Sequence, residues 1–115
     1  MSLEELARRV EEFGPVGFLV TADGSSSHVV SVTATFDGER FLVPAGRSSQ
    51  RNVASSSIAT LLWPTPTGGP YCLIVDGEAS VDGDDVVVRP TRAVLHRLAD
   101  APTDLPSCVP LEPEG

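Results

Sequence analysis

Three of the four Asp-Gly pairs of this chain, set between short runs of apolar residues, constrain its fold most strongly. They lie at positions 23–24, 37–38 and 82–83. An Asx-Gly pair between two apolar, alternating segments is a strong signal for a β-hairpin, because these residues readily adopt the left-handed backbone that tight hairpin turns require. The chain is therefore predicted to be mainly β, with antiparallel strands joined by short turns.

The apolar runs around these turns predict about six strands, an arrangement typical of a barrel or a sandwich. The predicted strands are Val16–Ala22, His28–Phe36, Arg40–Ala45, Ile58–Trp63, Tyr71–Val81 and Asp85–Arg89. Two alternatives stay open after Pro90. Either the sixth strand continues into Ala93–His96, with the proline at an edge or a bulge, or a short helix follows.

Two helices are predicted beside the strands. Ser2–Phe13 has a serine that can cap its start, and Gly14 and Pro15 end it. A short polar helix is predicted near Ser48–Ser56, between the third and fourth strands. At 115 residues the chain is expected to form one domain over residues 1–100, followed by a proline-rich tail over residues 101–115 without regular structure.

The net charge and the composition disfavour several classes of ligand and of chemistry. The net charge of −8 disfavours binding to nucleic acid or to an anionic membrane. All eight basic residues are arginine, so a lysine Schiff base is excluded and arginine must make any cationic contact to phosphate. The apolar runs are too short to cross a bilayer, and the charged N-terminus lacks the apolar core of a signal peptide. Cys72 and Cys108 are expected to be free thiols in a cytoplasmic protein.

The segment between the third and fourth strands concentrates groups that bind anions. It holds Arg47, Ser48, Ser49, Arg51 and Asn52 at a turn and the start of the predicted helix. Guanidinium groups, hydroxyls and the free N–H groups of a helix N-terminus together suit a phosphate. Ser48 and Asn52 could instead simply cap the helix, and Arg47 and Arg51 could be solvated surface residues. Capping and phosphate binding are compatible, because a capped helix start is also what binds phosphate.

The order of these segments carries a resemblance to a known family. The chain reads GFLVTADG, HVVSVTATFDG, RFLVPAGRSSQRNVASSSIATLLWP, LIVDGEASV and PTRAVLHR, and over roughly residues 10–98 it resembles the pyridoxamine 5′-phosphate oxidase-like flavin-binding split barrels, in particular the short actinobacterial members. The resemblance implies a six-stranded antiparallel Greek-key split barrel. It also implies a homodimer with two equivalent cofactor sites between the subunits.

The resemblance implies a cofactor and its contacts as well. FMN is the usual cofactor of the family, some branches use the deazaflavin coenzyme, and haem is disfavoured here. The phosphate anchor of the family falls on Arg47 to Asn52, although Ser48 and Ser49 stand where classical oxidases carry an Arg-Lys pair. The second strand, with Ser31 and Thr33, would line the flavin ring. Trp63 would shelter the cofactor or the dimer seam, or else anchor the core.

The implied activity is transfer of hydride or electrons between a flavin and an unknown small molecule. The sequence identifies no catalytic acid, base or nucleophile, and whether the chain is an enzyme stays open. His28 and His96 lack the spacing of a metal site and are interpreted as structural or surface groups. The alternative is a non-catalytic split-barrel module that sequesters a flavin or binds no cofactor. Replacement of the Arg-Lys pair by serines favours this alternative.

Overall fold

The computed structural model of the chain describes residues 2–98 and 103–111, which form two helices and eight strands. The helices are α1 (Leu3–Phe13) and α2 (Arg47–Ser55), and the strands are β1 (Val16–Asp23), β2 (Ser26–Thr33), β3 (Thr35–Phe36), β4 (Phe41–Pro44), β5 (Ile58–Trp63), β6 (Cys72–Asp82), β7 (Asp85–His96) and β8 (Cys108–Pro110). The prediction of a mainly β chain is confirmed. The prediction of six strands is wrong, because one predicted strand is divided and another strand lies in the tail.

The strands form one antiparallel sheet in the order β2-β1-β5-β6-β7-β4-β3, with β8 paired to β7 outside this order. The sheet curls into a half-barrel, consistent with a split barrel. Its concave side carries the core, whose largest fully buried side chains are Trp63, Phe41, Leu6, Leu19, Leu61 and Leu73. Leu6 of α1 belongs to this core, and Val10 and Phe13 pack against it, so α1 covers part of the half-barrel.

Ala34 divides the predicted strand over residues 28–36. Before it, β2 pairs with β1; after it, β3 pairs with β4. The Ala34 N–H donates a hydrogen bond to the Pro15 carbonyl at 2.8 Å, which continues the β1–β2 register by one pair before the chain turns towards β4. One residue thus joins the two strands at opposite ends of the sheet order. The alternation of apolar residues continues through the corner, which is why the sequence predicted one strand.

The alternatives after Pro90 are settled in favour of a strand, since β7 runs unbroken from residue 85 to residue 96. Pro90 lies opposite Gly77 of β6, where the register shifts between Asp76 and Gly77. A bulge suits a proline because its missing N–H need not join the regular ladder. The strands approach closely here: a Cβ on Gly77 would lie 2.5 Å from the Arg89 carbonyl oxygen.

The tail contains regular structure, contrary to the prediction. β8 pairs with residues 94–96 of β7, and the N–H of buried Leu111 donates to the Ala93 carbonyl at 2.8 Å. The Tyr71 hydroxyl donates to the Pro106 carbonyl at 2.8 Å. These tail residues pair with the end of β7 that β4 does not reach, despite the prolines of the tail. Residues 101–102 and 112–115 of the predicted tail lie outside the described residues.

Neither described helix is long and apolar enough to cross a membrane.

Candidate functional site

The start of α2 is the most favourable place for an anion. Gly46 precedes the helix with an extended backbone, and within the described residues no side chain caps the helix start. The first turn holds Arg47, Ser48 and Ser49, and none of its residues is acidic. Orphan N–H groups and the positive end of the helix dipole therefore point out of this turn beside a guanidinium group and two hydroxyls.

A groove of about 330 Å³ lies between the start of α2 and the edge strand β2. Its lining residues are His28, Val30, Ser31, Val32, Pro44, Ala45, Gly46, Arg47, Ser48 and Ser49. A second concavity shares Ser31, Val32 and Pro44 with the groove and extends it along β2 to Val16 and Thr33. In the described ranges β2 pairs only with β1, so the backbone groups of its other edge are available to a ligand.

Polar groups beneath α2 fix the helix to the sheet. The Asn52 amide donates through Nδ2 to Thr21 Oγ1 of β1 at 3.1 Å, and both residues are buried. Ser49, from the preceding turn of the helix, is only 1% exposed. A buried side-chain hydrogen bond of this kind holds the helix in place, and with it the N–H groups at its start.

The structure brings five of the eight predicted site residues to the groove and its extension, namely Ser31, Thr33, Arg47, Ser48 and Ser49. The other three lie elsewhere. Arg51 is exposed one helical turn after Arg47, outside the groove lining. The amide nitrogen of Asn52 is used in the bond to Thr21, as expected of a structural residue.

Trp63 lies in the core instead of at the groove. It is 1% exposed, and its ring centroid lies 5.4 Å from that of Phe41. The Trp63 side chain also lies 3.4 Å from the position that a Cβ would take on Gly17, so glycine lets β1 approach it closely. Of the roles that the sequence left open for Trp63, this position matches that of a core anchor.

His28 is the groove residue that the sequence analysis missed. It lines the groove, and its Nδ1 atom is buried with no hydrogen-bond partner among the described residues. The signal was present in the alternation of β2. His28 has the same parity as Val30 and Val32, which belong to the inward side of the strand, yet it was interpreted as a structural or surface group.

No group of three or more His, Cys, Asp and Glu within the described residues is arranged to hold a metal ion.

The convex face of β1, β2 and β5 is unusually apolar. Phe18 of β1 lies opposite Leu62 of β5, and both side chains point away from the core. Val16, Val29 and Ile58 extend this outer apolar face and are 64%, 57% and 67% exposed. Strands that are apolar on both faces are typical of sheets covered on both sides. This face adjoins the groove, because Val16 also lines the groove extension.

Comparison with known proteins identifies two relatives, although no family model matches the chain. An uncharacterized protein of Mycobacterium bovis and an uncharacterized protein of Mycobacterium tuberculosis are each 35% identical to it over 129 aligned positions. Each alignment covers 95% of this chain and 90% of the relative.

Two solved structures share the fold. One is a "Putative Pyridoxamine 5′-phosphate oxidase" from Listeria innocua, with a TM-score of 0.66 and 20% identity, covering 82% of this chain and 98% of that chain. The other is the FAD binding protein from Mycobacterium smegmatis, with a TM-score of 0.57 and 18% identity, covering 81% of this chain and 91% of that chain. The split-barrel fold of the pyridoxamine 5′-phosphate oxidase-like proteins, implied by the resemblance, is therefore confirmed.

Proposed function

Since the chain belongs to one family with the two mycobacterial proteins and has the pyridoxamine 5′-phosphate oxidase-like split-barrel fold, we propose that it is a cytoplasmic, homodimeric flavin-binding protein whose ligand is FMN. One observation carries the proposal. Within the described residues, the uncapped start of α2, Arg47 and two serine hydroxyls meet in a single groove. This set of donors suits the phosphate of a flavin nucleotide.

The residues of the groove fit both parts of such a ligand. The phosphate would be held by Arg47, Ser48 and the N–H groups at the start of α2. The flavin ring would lie along β2, near Ser31 and Thr33, where the free strand edge offers hydrogen bonds to its polar rim. When bound, the flavin supplies hydride or electron transfer, while the protein binds and orients it. The deazaflavin coenzyme also carries phosphate and is the alternative ligand.

The outer apolar face supports the homodimer. Val16, Val29 and Ile58 are more than half exposed in the single chain, although burying a Val or Ile side chain fully is worth about 1.5–3 kcal/mol. A second copy covering this face, over about 800 Å² per subunit, would bury these side chains. Because the face adjoins the groove extension, the partner would also cover the open side of the flavin site.

The ligand is tested by adding FMN to the purified protein and recording flavin absorption and fluorescence. We expect saturable quenching, and Arg47→Ala should weaken FMN binding about tenfold or more by removing a charge-assisted hydrogen bond. Arg51→Ala should have a smaller effect, because Arg51 lies outside the groove. Arg8→Ala, on the exposed side of α1, controls for loss of a surface arginine. Equal FMN affinities of the unaltered protein and the three variants would show that the phosphate does not bind in this groove.

The dimer is tested by light scattering at micromolar concentration. We expect twice the mass of one chain, and Ile58→Asp should halve it by placing a charge in the contact. Leu98→Asp is the matched control, since Leu98 is 74% exposed and lies outside the outer apolar face. A monomeric unaltered protein would refute the homodimer.

A second candidate is a flavin-sequestering module without catalysis, favoured by Ser48 and Ser49 at the positions where classical oxidases carry an Arg-Lys pair. Stopped-flow mixing of the FMN complex with NADH or NADPH distinguishes the two. Bleaching of the flavin absorbance faster than for free FMN supports a redox enzyme. A rate equal to or below that of free FMN supports sequestration.

A further inference from the structure

We propose that His28 is an anion-binding residue that donates a hydrogen bond from Nε2 to the ligand's phosphate in the groove. The inference rests on the proposed function, because it assigns a contact within the same site. It adds an imidazole hydrogen-bond donor to a site whose cationic side chain is Arg47.

The surroundings of His28 assign its two ring nitrogens different roles. His28 lies opposite Thr21 of β1 and lines the groove below the start of α2. Nδ1 is buried without a partner among the described residues. A buried N–H without an acceptor is rare in native proteins. The neutral ring should therefore carry its proton on Nε2, the nitrogen left to donate to a ligand.

The charges around His28 favour an anion. Arg47, Ser48 and Ser49 face it from α2, Thr21 faces it from β1, and none of the residues that line the groove is acidic. The Arg47 guanidinium thus faces the groove without a carboxylate in the groove lining to balance its charge. A phosphate supplies the missing negative charge. It can accept a hydrogen bond from the Nε2–H of His28 beside its contact to Arg47.

The sequence provides an internal control for observing this contact by NMR. The chain has two histidines, and His96 is exposed on β7, outside the groove lining. In protein labelled with ¹⁵N-histidine, inorganic phosphate and FMN are added in separate titrations. We expect saturable shifts of the His28 ring nitrogens with both ligands, and unchanged His96 signals.

Variants provide a second readout in the full-length protein. Fluorescence titrations compare FMN with riboflavin, which lacks the phosphate, for the unaltered protein, His28→Ala, His28→Gln and His96→Ala. We expect His28→Ala to weaken FMN binding about tenfold, because a hydrogen bond to the charged phosphate is lost, and to leave riboflavin affinity within about twofold. His96→Ala should leave both affinities unchanged.

His28→Gln separates loss of the hydrogen bond from loss of the ring, because the glutamine amide can still donate a hydrogen bond. We expect His28→Gln to keep more FMN affinity than His28→Ala. Equal losses of FMN affinity in the two variants would overturn the inference.

The two proposals fail separately in these experiments. If FMN binds but the His28 signals do not move and His28→Ala weakens FMN and riboflavin equally, the flavin function stands and the role of His28 is refuted. If no flavin binds but inorganic phosphate shifts His28 and not His96, the flavin proposal fails and the anion contact stands. If neither flavin nor phosphate affects His28, both are refuted.

Discussion

Gly46, the residue before α2, allows one substitution to change stability and ligand binding in opposite directions. Its backbone is extended, with φ −74° and ψ 177°, and no described atom outside its immediate neighbours lies within 4 Å of the position that a Cβ would take. An aspartate therefore fits there without strain. Its carboxylate can accept hydrogen bonds from the first-turn N–H groups, the same donors that we propose for the phosphate.

The expected gain in stability comes from a side-chain cap and from a negative charge at the helix start, since the described part of α2 has neither a capping side chain nor an acidic residue in its first turn. An aspartate cap is worth a few tenths of a kcal/mol over glycine, and its charge at the helix N-terminus adds about 0.3–1 kcal/mol at low salt. We expect Gly46→Asp to raise the free energy of unfolding by about 0.5–1 kcal/mol. For a domain of this size Tm should rise by about 2–5 °C.

The expected loss of affinity comes from charge repulsion. Two unit charges about 6 Å apart repel by about 3 kcal/mol at an effective dielectric constant of about 20, and salt reduces this value. Even half of this repulsion energy weakens FMN binding about tenfold. FMN affinity should therefore fall at least about tenfold, while the affinity for riboflavin, which has no phosphate, should stay the same.

The assay combines urea unfolding of the ligand-free protein with fluorescence titrations at low salt and pH 7.5. Gly46→Asn is the matched control, because it offers a similar cap without the charge and should lose less affinity for FMN. If Gly46→Asp stabilises the protein yet binds FMN as tightly as the unaltered chain, the phosphate does not lie at the start of α2. That result would refute the reasoning.

Three further changes test the fold that carries the groove. Gly77→Ala would place a Cβ 2.5 Å from a carbonyl oxygen of β7, so we expect urea unfolding to show a loss of about 1–3 kcal/mol; a loss below about 0.5 kcal/mol would contradict the close approach. Asn52→Ala should cost about 1–2 kcal/mol, and a double-mutant cycle with Thr21→Val should show coupling; purely additive effects would mean that the bond contributes nothing. The Asp37 carboxylate accepts hydrogen bonds from the backbone N–H groups of Arg40 and Glu39, and these bonds hold the pKa of Asp37 below the usual 3.8. Its contribution to stability is therefore complete above that value and lost as the pH falls through the lower, folded-state pKa, so the stability gap to Asp37→Asn should shrink below about pH 4 in thermal unfolding at stepped pH.

Local signals in the sequence were sufficient for the helices and for the hairpins at positions 23–24 and 82–83. They could not reveal features that depend on distant partners. The corner at Ala34 exists because the residues before and after it pair with different strands, while the apolar alternation continues through it. β8 exists because the edge of β7 accepts it, and nothing in its own proline-rich composition indicates a strand.

In the candidate site, too, groups that are adjacent in sequence could be predicted, whereas contacts between distant elements could not. The glycine, arginine and serines at the start of α2 are adjacent in sequence, so their clustering could be read directly. Asn52 and Trp63 were ambiguous because their partners, Thr21 and Phe41, come from other elements. The outer apolar face was hidden for a similar reason, since only the strand register shows that the apolar residues of β1 and β5 lie side by side.

The corner at Ala34 also has a consequence for the way the chain folds. The hairpins β1–β2 and β6–β7 involve near neighbours and can form within microseconds, whereas pairing β1 with β5 and β4 with β7 must first close long loops. Ala34 alone connects β2 and β3, the strands at the two ends of the sheet. Once β1 has paired with β5, or β4 with β7, the remaining loop that must close is therefore shorter. We expect refolding to have one slow phase, on the millisecond-to-second scale of proteins rich in non-local pairs, in which both ends of the sheet become ordered together.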